Sequence, residues 1–298
     1  MRVSGEDAGD FLQSQFTNEL RPIEAGRCVY GLWLNVKGKV MGDGFVLCEG
    51  KEKFRIISGF SDADTISDQL ERHIIADDVG IERFDGAPAM ALAGDQVELL
   101  LENIGATVPQ AGYFTDCEGI IVFRGRWSRS ASVELIFPSE EVRNEWRGRV
   151  EEAGVSFVDE ACMHFERMEA GYPWVPIEIG PEDLPAEGGL EESAIAFEKG
   201  CFLGQEAVAR MRHLGRPQRA LFVVSGQGPV PHCPASLQTG EERKAGELRA
   251  AWTDGCNWKG TALLKLRHAE TGSRLWRDGE EIEVRRLMPG LKREASNG

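Results

Sequence analysis

Hydrophobic residues over about the first 215 positions follow two periods in turn, the 3.6-residue period of helices and the two-residue period of strands. The helical period, with start signals such as Ser61, Ser139 and Asp159, predicts helices that begin near residues 6, 61, 95, 139 and 159. The strand period predicts strands over 29–34, 40–48, 120–123 and 133–137. A mixture of this kind is typical of an α+β region.

The pattern changes from Arg219 onward. Short β segments follow one another over 219–225, 246–252, 260–267 and 281–286, separated by Gly, Pro, Asn and Asp. Such spacing is typical of a small all-β barrel or sandwich. We therefore predict two domains, an α+β region over 1–216 and a β module over 217–298.

Composition excludes several classes of protein. The 298 residues carry 49 acidic and 34 basic side chains, a net charge of −15 that argues against general binding to nucleic acid. The sequence has no apolar run long enough to span a bilayer and no leader-like N-terminus, so we expect a cytoplasmic protein. The seven cysteines are odd in number and never closer than 20 residues, which indicates reduced thiols rather than a disulfide framework or a zinc site. Nucleotide-loop, Rossmann and zincin motifs are absent.

The segment from Phe197 to Arg210, FEKGCFLGQEAVAR, combines a cysteine between two glycines with a helix-forming run. Cys201 should lie on a tight loop just before a helix N-terminus, where unpaired N–H groups and the helix dipole favour a thiolate. Lys199, two residues earlier, would add positive charge. Two interpretations stay open: a reactive or metal-seeking sulfur, or a small buried hydrophobe, as most free cysteines are.

These residues resemble a known signature. The run from Lys199 to Glu206, with Arg210, fits KGC[YF]xGQExxxR, the motif of the YgfZ-type folate-binding family, whose relatives include the glycine-cleavage T-protein, an aminomethyltransferase. Other segments that resemble the family are 5–18, 35–43, 169–173, 184–187 and 244–251. Aminomethyltransferases usually carry Asp and Arg where this chain has Cys201 and Gln205, which places the chain on the YgfZ side.

The resemblance implies a T-protein-like fold, in which a folate-binding α+β region precedes a small β-barrel. It implies tetrahydrofolate as the cofactor, no bound metal, and Cys201 with Lys199 as the catalytic residues. The sequence departs from the family at Phe202, where tyrosine is commoner. It also begins almost at the first family helix, so we expect the strand that normally precedes that helix to be missing.

Asp43 shares one face of its predicted strand with Met41, Phe45 and Leu47. A carboxylate in an apolar row must be paired, protonated or bound to a ligand. The alternative is a glycine-flanked bulge that turns the carboxylate to solvent. The resemblance implies that Asp43 lies at the floor of a pterin pocket, where it would accept hydrogen bonds from ring N–H and NH₂ groups.

Three further residues are predicted to contact the cofactor. The resemblance singles out Glu187 as a second pterin-contacting carboxylate, although a solvated loop is the ordinary explanation for an acidic run. We also predict that Arg124 clamps a carboxylate and that Gln205 binds cofactor. A group of basic residues near residue 215, which we name the basic island, is either a binding site for an anion or a helix C-terminus whose cations complement the helix dipole. The island consists of Arg210, Arg212, His213, Arg216 and Arg219.

The resemblance implies a tetrahydrofolate-binding factor that supports iron–sulfur cluster assembly or repair in client enzymes, including radical-SAM enzymes that modify tRNA. Its partners would be iron–sulfur client or scaffold proteins, because a single thiolate cannot hold a cluster alone. We expect no sequence-specific nucleic acid and no membrane among the partners. The alternative is an enzyme, a folate-dependent aminomethyl or one-carbon transferase in which Asp43 orients the folate nitrogen. A pure interaction module, the third hypothesis, would bind no folate.

Overall fold

The computed structural model describes residues 1–84, 86–215 and 217–288. The chain divides into two compact units, each built from separate segments. Unit 1 consists of Met1–Trp33, Gly42–Asp159 and Ala196–Leu203. Unit 2 consists of Leu34–Met41, Glu160–Ile195 and the chain from Gly204 onward. This division differs from the predicted single boundary between residues 216 and 217, because unit 2 also takes up two earlier segments.

A five-stranded sheet with two helices forms one part of unit 1. Its strands are β1 (Arg2–Ser4), β2 (Cys28–Leu34), β3 (Val40–Gly50), β4 (Lys53–Ile57) and β5 (Gly80–Glu82), in the order β2-β3-β4-β1-β5. The helices are α1 (Ala8–Gln15) and α2 (Ala63–Glu71). Burying one apolar face of each helix against the sheet removes that face from water. The resulting core includes Leu12, Trp33, Phe54 and Leu70.

A four-stranded sheet with two helices forms the other part of unit 1. Its strands are β6 (Ala89–Ala93), β7 (Phe114–Cys117), β8 (Ile120–Arg124) and β9 (Ser132–Ile136), in the order β6-β9-β8-β7. The helices are α3 (Val97–Asn103) and α4 (Glu140–Glu152). Leu101, Val133 and Trp146 belong to the core beside this sheet. A separate cluster, which includes Leu47 and Phe123, packs the two sheets of unit 1 together.

The described residues of unit 2 form three helices and a closed β-barrel. The helices are α5 (Glu160–Ala170), α6 (Glu191–Ala194) and α7 (Gln205–Leu214), with 3₁₀ turns at Pro185–Gly188 and Leu266–His268. The barrel strands are β10 (Arg219–Gln227), β11 (Ala235–Gln238), β12 (Lys244–Asp254), β13 (Asn257–Lys265), β14 (Arg274–Arg277) and β15 (Glu280–Leu287), in the order β10-β13-β12-β11-β14-β15. Alternate residues such as Phe222, Leu248 and Leu264 fill its core. The predicted barrel is thus confirmed over the alternative of a sandwich.

The structure confirms the long predicted elements and corrects the short ones. The Ser139 side chain caps α4 by accepting a hydrogen bond from the Val142 N–H at 3.4 Å. The cap of α2 is Asp62 rather than Ser61, since the Asp62 carboxylate accepts from the Thr65 N–H at 3.0 Å. A strand does precede the first helix, contrary to expectation: β1 pairs with β4 and β5, and its three residues are too few to show a period. Within the described ranges no helix is long and apolar enough to cross a membrane.

Candidate functional site

Asp43 lies within β3 and is held by side chains from two other parts of unit 1. Its Oδ2 accepts a hydrogen bond from the Tyr30 hydroxyl at 2.8 Å, and its Oδ1 accepts one from the Ser61 hydroxyl at 2.7 Å. The face of β3 that bears Asp43 and Phe45 is partly exposed, while the intervening residues are buried. The carboxylate is therefore paired, and about half of its acceptor capacity is left for a ligand.

Aromatic rings and an arginine lie beside this carboxylate. The Tyr30 ring packs against the Phe45 ring at 5.3 Å between centroids, and Phe45 packs against Phe123 at 4.8 Å. The Arg126 guanidinium lies over the Tyr30 ring, 3.9 Å from its centroid. The site thus combines a fixed acceptor with flat apolar surface and one cation, which suits a planar heterocycle that carries N–H donors.

Burial shifts the titration of this pair. Burial raises the pKa of Asp43, although the hydrogen bonds from Ser61 and Tyr30 and the charge of Arg126 act in the opposite direction. Burial, and after it the Asp43 charge, raises the pKa of Tyr30 well above its ordinary value. The phenol therefore stays protonated and continues to donate to the carboxylate across the physiological range.

Glu134 on β9 supplies a second partly buried carboxylate in unit 1. Its Oε1 accepts a hydrogen bond from the Trp127 indole N–H at 2.6 Å. The Trp127 ring in turn meets the Phe60 ring edge-on at 5.1 Å, and Phe60 directly precedes Ser61. Burial raises the pKa of Glu134 to about 7, against the opposing effect of the Trp127 bond. A Cβ on Gly125 would lie 2.9 Å from the Glu134 side chain, so this glycine makes room for the carboxylate.

These contacts join into one group, which we name the Asp43 cluster. Sequence reasoning identifies only Asp43 among its members, because strand alternation makes that carboxylate conspicuous. For Arg126 and Trp127 a signal exists in the Arg-Gly-Arg-Trp run after an apolar strand, whereas nothing local distinguishes Glu134. The members of the cluster are Tyr30, Asp43, Phe60, Ser61, Arg126, Trp127 and Glu134.

Arg124, the arginine predicted to clamp a ligand carboxylate, has partners within the fold. Its guanidinium donates to both carboxylate oxygens of Glu98, at 2.5 and 2.9 Å, and to the Pro109 carbonyl at 3.0 Å. These bonds use most of its donors. The structure places Arg126, two residues later, beside Asp43 instead.

Lys199 has a different position from the predicted one beside the thiol. Its buried ammonium donates three hydrogen bonds, to the carbonyls of Gln13, Phe16 and Asn18, at 2.8, 2.7 and 2.8 Å. Burial lowers the pKa of Lys199 to about 8. Because an ammonium has three donors, all of them are used to attach the loop to the end of α1 and the residues after it. Lys199 therefore anchors the loop that carries Cys201 and, contrary to the prediction from the sequence, does not use its ammonium to pair with the thiol.

Cys201 lies on an exposed part of this anchored loop. The Leu203 N–H donates to the Ser14 carbonyl at 3.0 Å and the Ala196 N–H donates to the Thr17 carbonyl at 3.1 Å, so both ends of the loop are fixed. Phe202 is buried and lies under the Lys199 ammonium, 5.6 Å from ring centroid to nitrogen. In the part of the chain that the structure describes, the Cys201 thiol has no hydrogen-bond or ion-pair partner. The interpretation of Cys201 as a small buried hydrophobe is therefore wrong.

Glu187, the second predicted pterin contact, is buried in unit 2 and paired there. Its carboxylate accepts two hydrogen bonds from Arg219, at 2.7 and 2.9 Å, and one from the Leu184 N–H at 2.8 Å. The neighbouring Asp183 accepts from Arg219 and Arg249 at 3.1 and 3.2 Å. These carboxylates do not belong to a solvated loop, and Glu187 keeps little acceptor capacity for a ligand.

Gln205 and the basic island lie on and after α7. Gln205 is partly buried at the first position of the helix, and its contact with a cofactor stays a prediction. Arg212 and His213 lie in the last helical turn, where cations complement the dipole, and Arg219 is paired as described above. Arg216 lies outside the described residues.

Comparison with known proteins agrees with this architecture. The family model described as the GCVT N-terminal domain matches residues 1–199. The tRNA-modifying protein YgfZ of Sodalis glossinidius (strain morsitans) is 26% identical over 270 residues, which are 86% of this chain and 79% of that protein. The YgfZ of Yersinia enterocolitica is 24% identical over 297 residues, which are 96% of this chain and 88% of that protein.

A solved structure supports the same fold. The glycine cleavage system aminomethyltransferase T from Bartonella henselae superposes with a TM-score of 0.79 at 18% identity, over 96% of this chain and 84% of that one. This likeness confirms the predicted T-protein-like architecture. Because the family model covers 199 of the 298 residues, the chain belongs to the GCVT N-terminal domain family.

Proposed function

We propose that unit 1 binds tetrahydrofolate at the Asp43 cluster. The observation that carries the proposal is the Asp43 carboxylate, fixed by Tyr30 and Ser61 beside aromatic surface. A pterin offers the complement, namely a flat ring with N–H and NH₂ donors on one edge. Glu134, whose pKa is raised to about 7, offers a second oxygen pair that either accepts or donates near neutral pH. The donor and acceptor set therefore fits the folate that relatives of this family use.

In this proposal each residue has a separate task. Asp43 orients the ring, Tyr30 and Ser61 hold the Asp43 carboxylate in position, and Arg126 offers positive charge beside it. Folate, when bound, would supply a one-carbon unit or an acceptor for one.

We further propose that the protein supports iron–sulfur cluster assembly or repair in cytoplasmic client enzymes, including radical-SAM enzymes that modify tRNA. Support comes from the similar proteins named tRNA-modifying and from the exposed Cys201 thiol on its anchored loop. A thiolate is a suitable soft ligand for iron, but one thiolate cannot hold a cluster alone. The proposal therefore includes a client or scaffold protein that supplies the remaining ligands.

Folate binding is tested with Asp43→Asn, which keeps the shape of the side chain and removes its charge. We expect the affinity for tetrahydrofolate, measured by calorimetry, to fall about tenfold or more, because charge-assisted hydrogen bonds to the pterin are lost. Asp10→Asn is the matched control, since Asp10 is exposed and its ion-pair partner among the described residues is Arg21. Equal affinity in the Asp43→Asn protein and this control would overturn the folate assignment.

The cluster role is tested in a strain that lacks the gene, by measuring methylthiolated adenosine in its tRNA. We expect the intact gene to restore the modification and Cys201→Ala to fail. Cys117→Ala is the matched control and should restore it, because Cys117 is also an exposed free cysteine. Restoration by Cys201→Ala would remove this residue from the mechanism.

An aminomethyl or one-carbon transferase is the second candidate function. The fold shared with an aminomethyltransferase favours it, together with Asp43 as the residue that orients the substrate nitrogen. It predicts turnover with a carried one-carbon substrate, loss of activity in Asp43→Asn and little change in Cys201→Ala. The two variants together therefore separate the two functions.

A further inference from the structure

A cleft lies at one end of the barrel in unit 2, and the proposed function uses none of the residues that line it. The turn between β11 and β12 forms one wall, with Thr239 and Arg243. The connection from β13 to β14 forms the other, with Arg267, His268 and Ser273. The volume of the cleft is about 470 Å³, which is enough for a phosphate group and a small organic group bonded to it.

Two arginines, Arg243 and Arg267, and two acids, Glu241 and Glu270, line this cleft, so the formal charges of its lining cancel when His268 is neutral. Arg267 is exposed, and Lys265 is half-buried with its ammonium donating to the Lys244 carbonyl at 3.2 Å. In the described part of the chain neither Arg267 nor Lys265 is paired with a carboxylate. Most described arginines elsewhere form such pairs, so Arg267 stands out in the lining of the cleft as an arginine with no carboxylate partner among the described residues.

The orientation of the imidazole adds a neutral donor. The Arg267 Nε donates to the His268 Nε2 at 3.1 Å, so the neutral ring carries its proton on Nδ1. Slight burial and the charges of Arg267, Lys265 and Arg243 lower the pKa of His268, against a weaker effect of Glu241, which keeps the ring neutral near pH 7. Nδ1 is therefore a donor under ordinary conditions.

Two hydroxyl groups in the cleft also have their protons available. Thr239 Oγ1 accepts from the Arg243 N–H at 3.3 Å, and Ser273 Oγ accepts from the Glu270 N–H at 3.1 Å. Because these contacts use oxygen lone pairs, each hydroxyl proton is left to donate. Two acids border the same cleft: Glu241, which pairs with Arg243 at 3.2 Å, and Glu270, whose side chain opposes an anion.

We infer that this cleft is a binding site for a phosphate group, held by Arg267, the His268 Nδ1–H and the hydroxyls of Thr239 and Ser273. A guanidinium that offers two parallel N–H donors matches the geometry of phosphate oxygens. The hydroxyls and imidazole supply neutral donors around it, which adds directional contacts without adding charge. The phosphate belongs either to free inorganic phosphate or to a nucleotide, and the experiment separates these sources.

The experiment titrates the full-length protein with inorganic phosphate, pyrophosphate and AMP, each followed by calorimetry and by amide NMR shifts. We expect saturable binding with a Kd of roughly 1 mM or tighter for at least one of the three, and shifts at the amides of Thr239, Glu270 and Ser273. Arg267→Gln should weaken that binding about tenfold, because a charge-assisted pair is lost. His268→Phe should weaken it severalfold, because a neutral donor is lost.

Arg72→Gln is the matched control, since Arg72 is an exposed arginine at the end of α2 that has no carboxylate partner among the described residues. Equal binding of phosphate and AMP would assign the site to the phosphate alone, and binding of AMP only would assign it to a nucleotide. Absence of saturable binding for all three ligands would overturn the inference. Equal weakening by Arg72→Gln and Arg267→Gln would overturn it as well, because the effect would then be general electrostatics.

Discussion

Replacing Lys199 by methionine should release the Cys201 loop while leaving the rest of unit 1 folded. The Lys199 ammonium makes three hydrogen bonds to carbonyls, two of them buried and one partly buried. A buried acceptor that loses its partner costs about 1–3 kcal/mol, and an acceptor that water reaches costs less. Allowing for the dehydration of the ammonium in the wild-type protein, we expect the anchored state of the loop to lose about 3 kcal/mol.

Hydrogen exchange of individual amides measures this loss directly. The Leu203 and Ala196 N–H groups donate to carbonyls at the end of α1 and beyond it, so their exchange reports on opening of the loop. A loss of about 3 kcal/mol corresponds to roughly a hundredfold faster exchange in Lys199→Met. Amides in the centre of β3 should exchange at the wild-type rate, because the five-stranded sheet does not depend on this anchor.

Lys51→Met provides the comparison, because Lys51 is an exposed lysine in the turn between β3 and β4. If Lys199→Met and Lys51→Met show the same exchange at Leu203, the three carbonyl contacts do not hold the loop. If exchange rises throughout unit 1 instead, Lys199 supports the whole core and the anchoring role is too narrow.

Three further predictions follow from single residues. The pKa of Glu134 is raised from 4.5 to about 7, so between these pH values the folded chain keeps a proton that the unfolded chain has released. The free energy of unfolding should therefore fall by up to about 3 kcal/mol as pH rises from 4.5 to 7, and urea titrations of Glu134→Gln should lack this slope. Glu178→Gln should destabilise unit 2 by about 3–5 kcal/mol in thermal unfolding, because the buried Glu178 carboxylate is the counter-ion of Arg167 and accepts two hydrogen bonds from its guanidinium, at 2.8 and 2.9 Å. A loss below about 1 kcal/mol would contradict this. Gly200→Ala should keep wild-type stability within about 1 kcal/mol yet fail to restore tRNA methylthiolation, and full restoration would show that space beside Cys201 is not needed.

The sequence predicts those elements whose local signals, such as a cap and an apolar face, match the contacts that the element makes in the fold. The helix after Ser139 carries a cap, an apolar face with Trp146 and a terminating glycine, and α4 follows that pattern. Strands of three or four residues, such as β5 and β14, contain at most two repeats of the two-residue period. Their existence is decided by pairing with distant strands, which no local period records.

The sequence shows which charged residues stand out from their surroundings, but it does not show which side chains they pair with. Asp43 is conspicuous because a carboxylate interrupts an apolar face, and the structure supplies the partners that burial requires. Glu187 carries an equally visible charge, but its partner Arg219 lies 32 residues away, in a run of basic residues that the sequence does not connect with Glu187. Arg124 and Arg126 differ by two positions, and only the tertiary contacts with Glu98 and Tyr30 separate their roles.

The two glycines on either side of Cys201, Gly200 and Gly204, differ in what the fold requires of them. Gly204 has a φ of +83°, and a Cβ there would lie 2.6 Å from the Asn35 carbonyl, so the fold itself requires glycine at that position. At Gly200 φ is not positive, and a Cβ would meet nothing within 4 Å. The fold therefore places no demand for glycine at position 200. Under the proposed cluster role, the missing side chain would leave room for a client to approach the Cys201 thiol. Gly204 is therefore needed for the start of α7, whereas a role for Gly200 depends on the proposed function of Cys201.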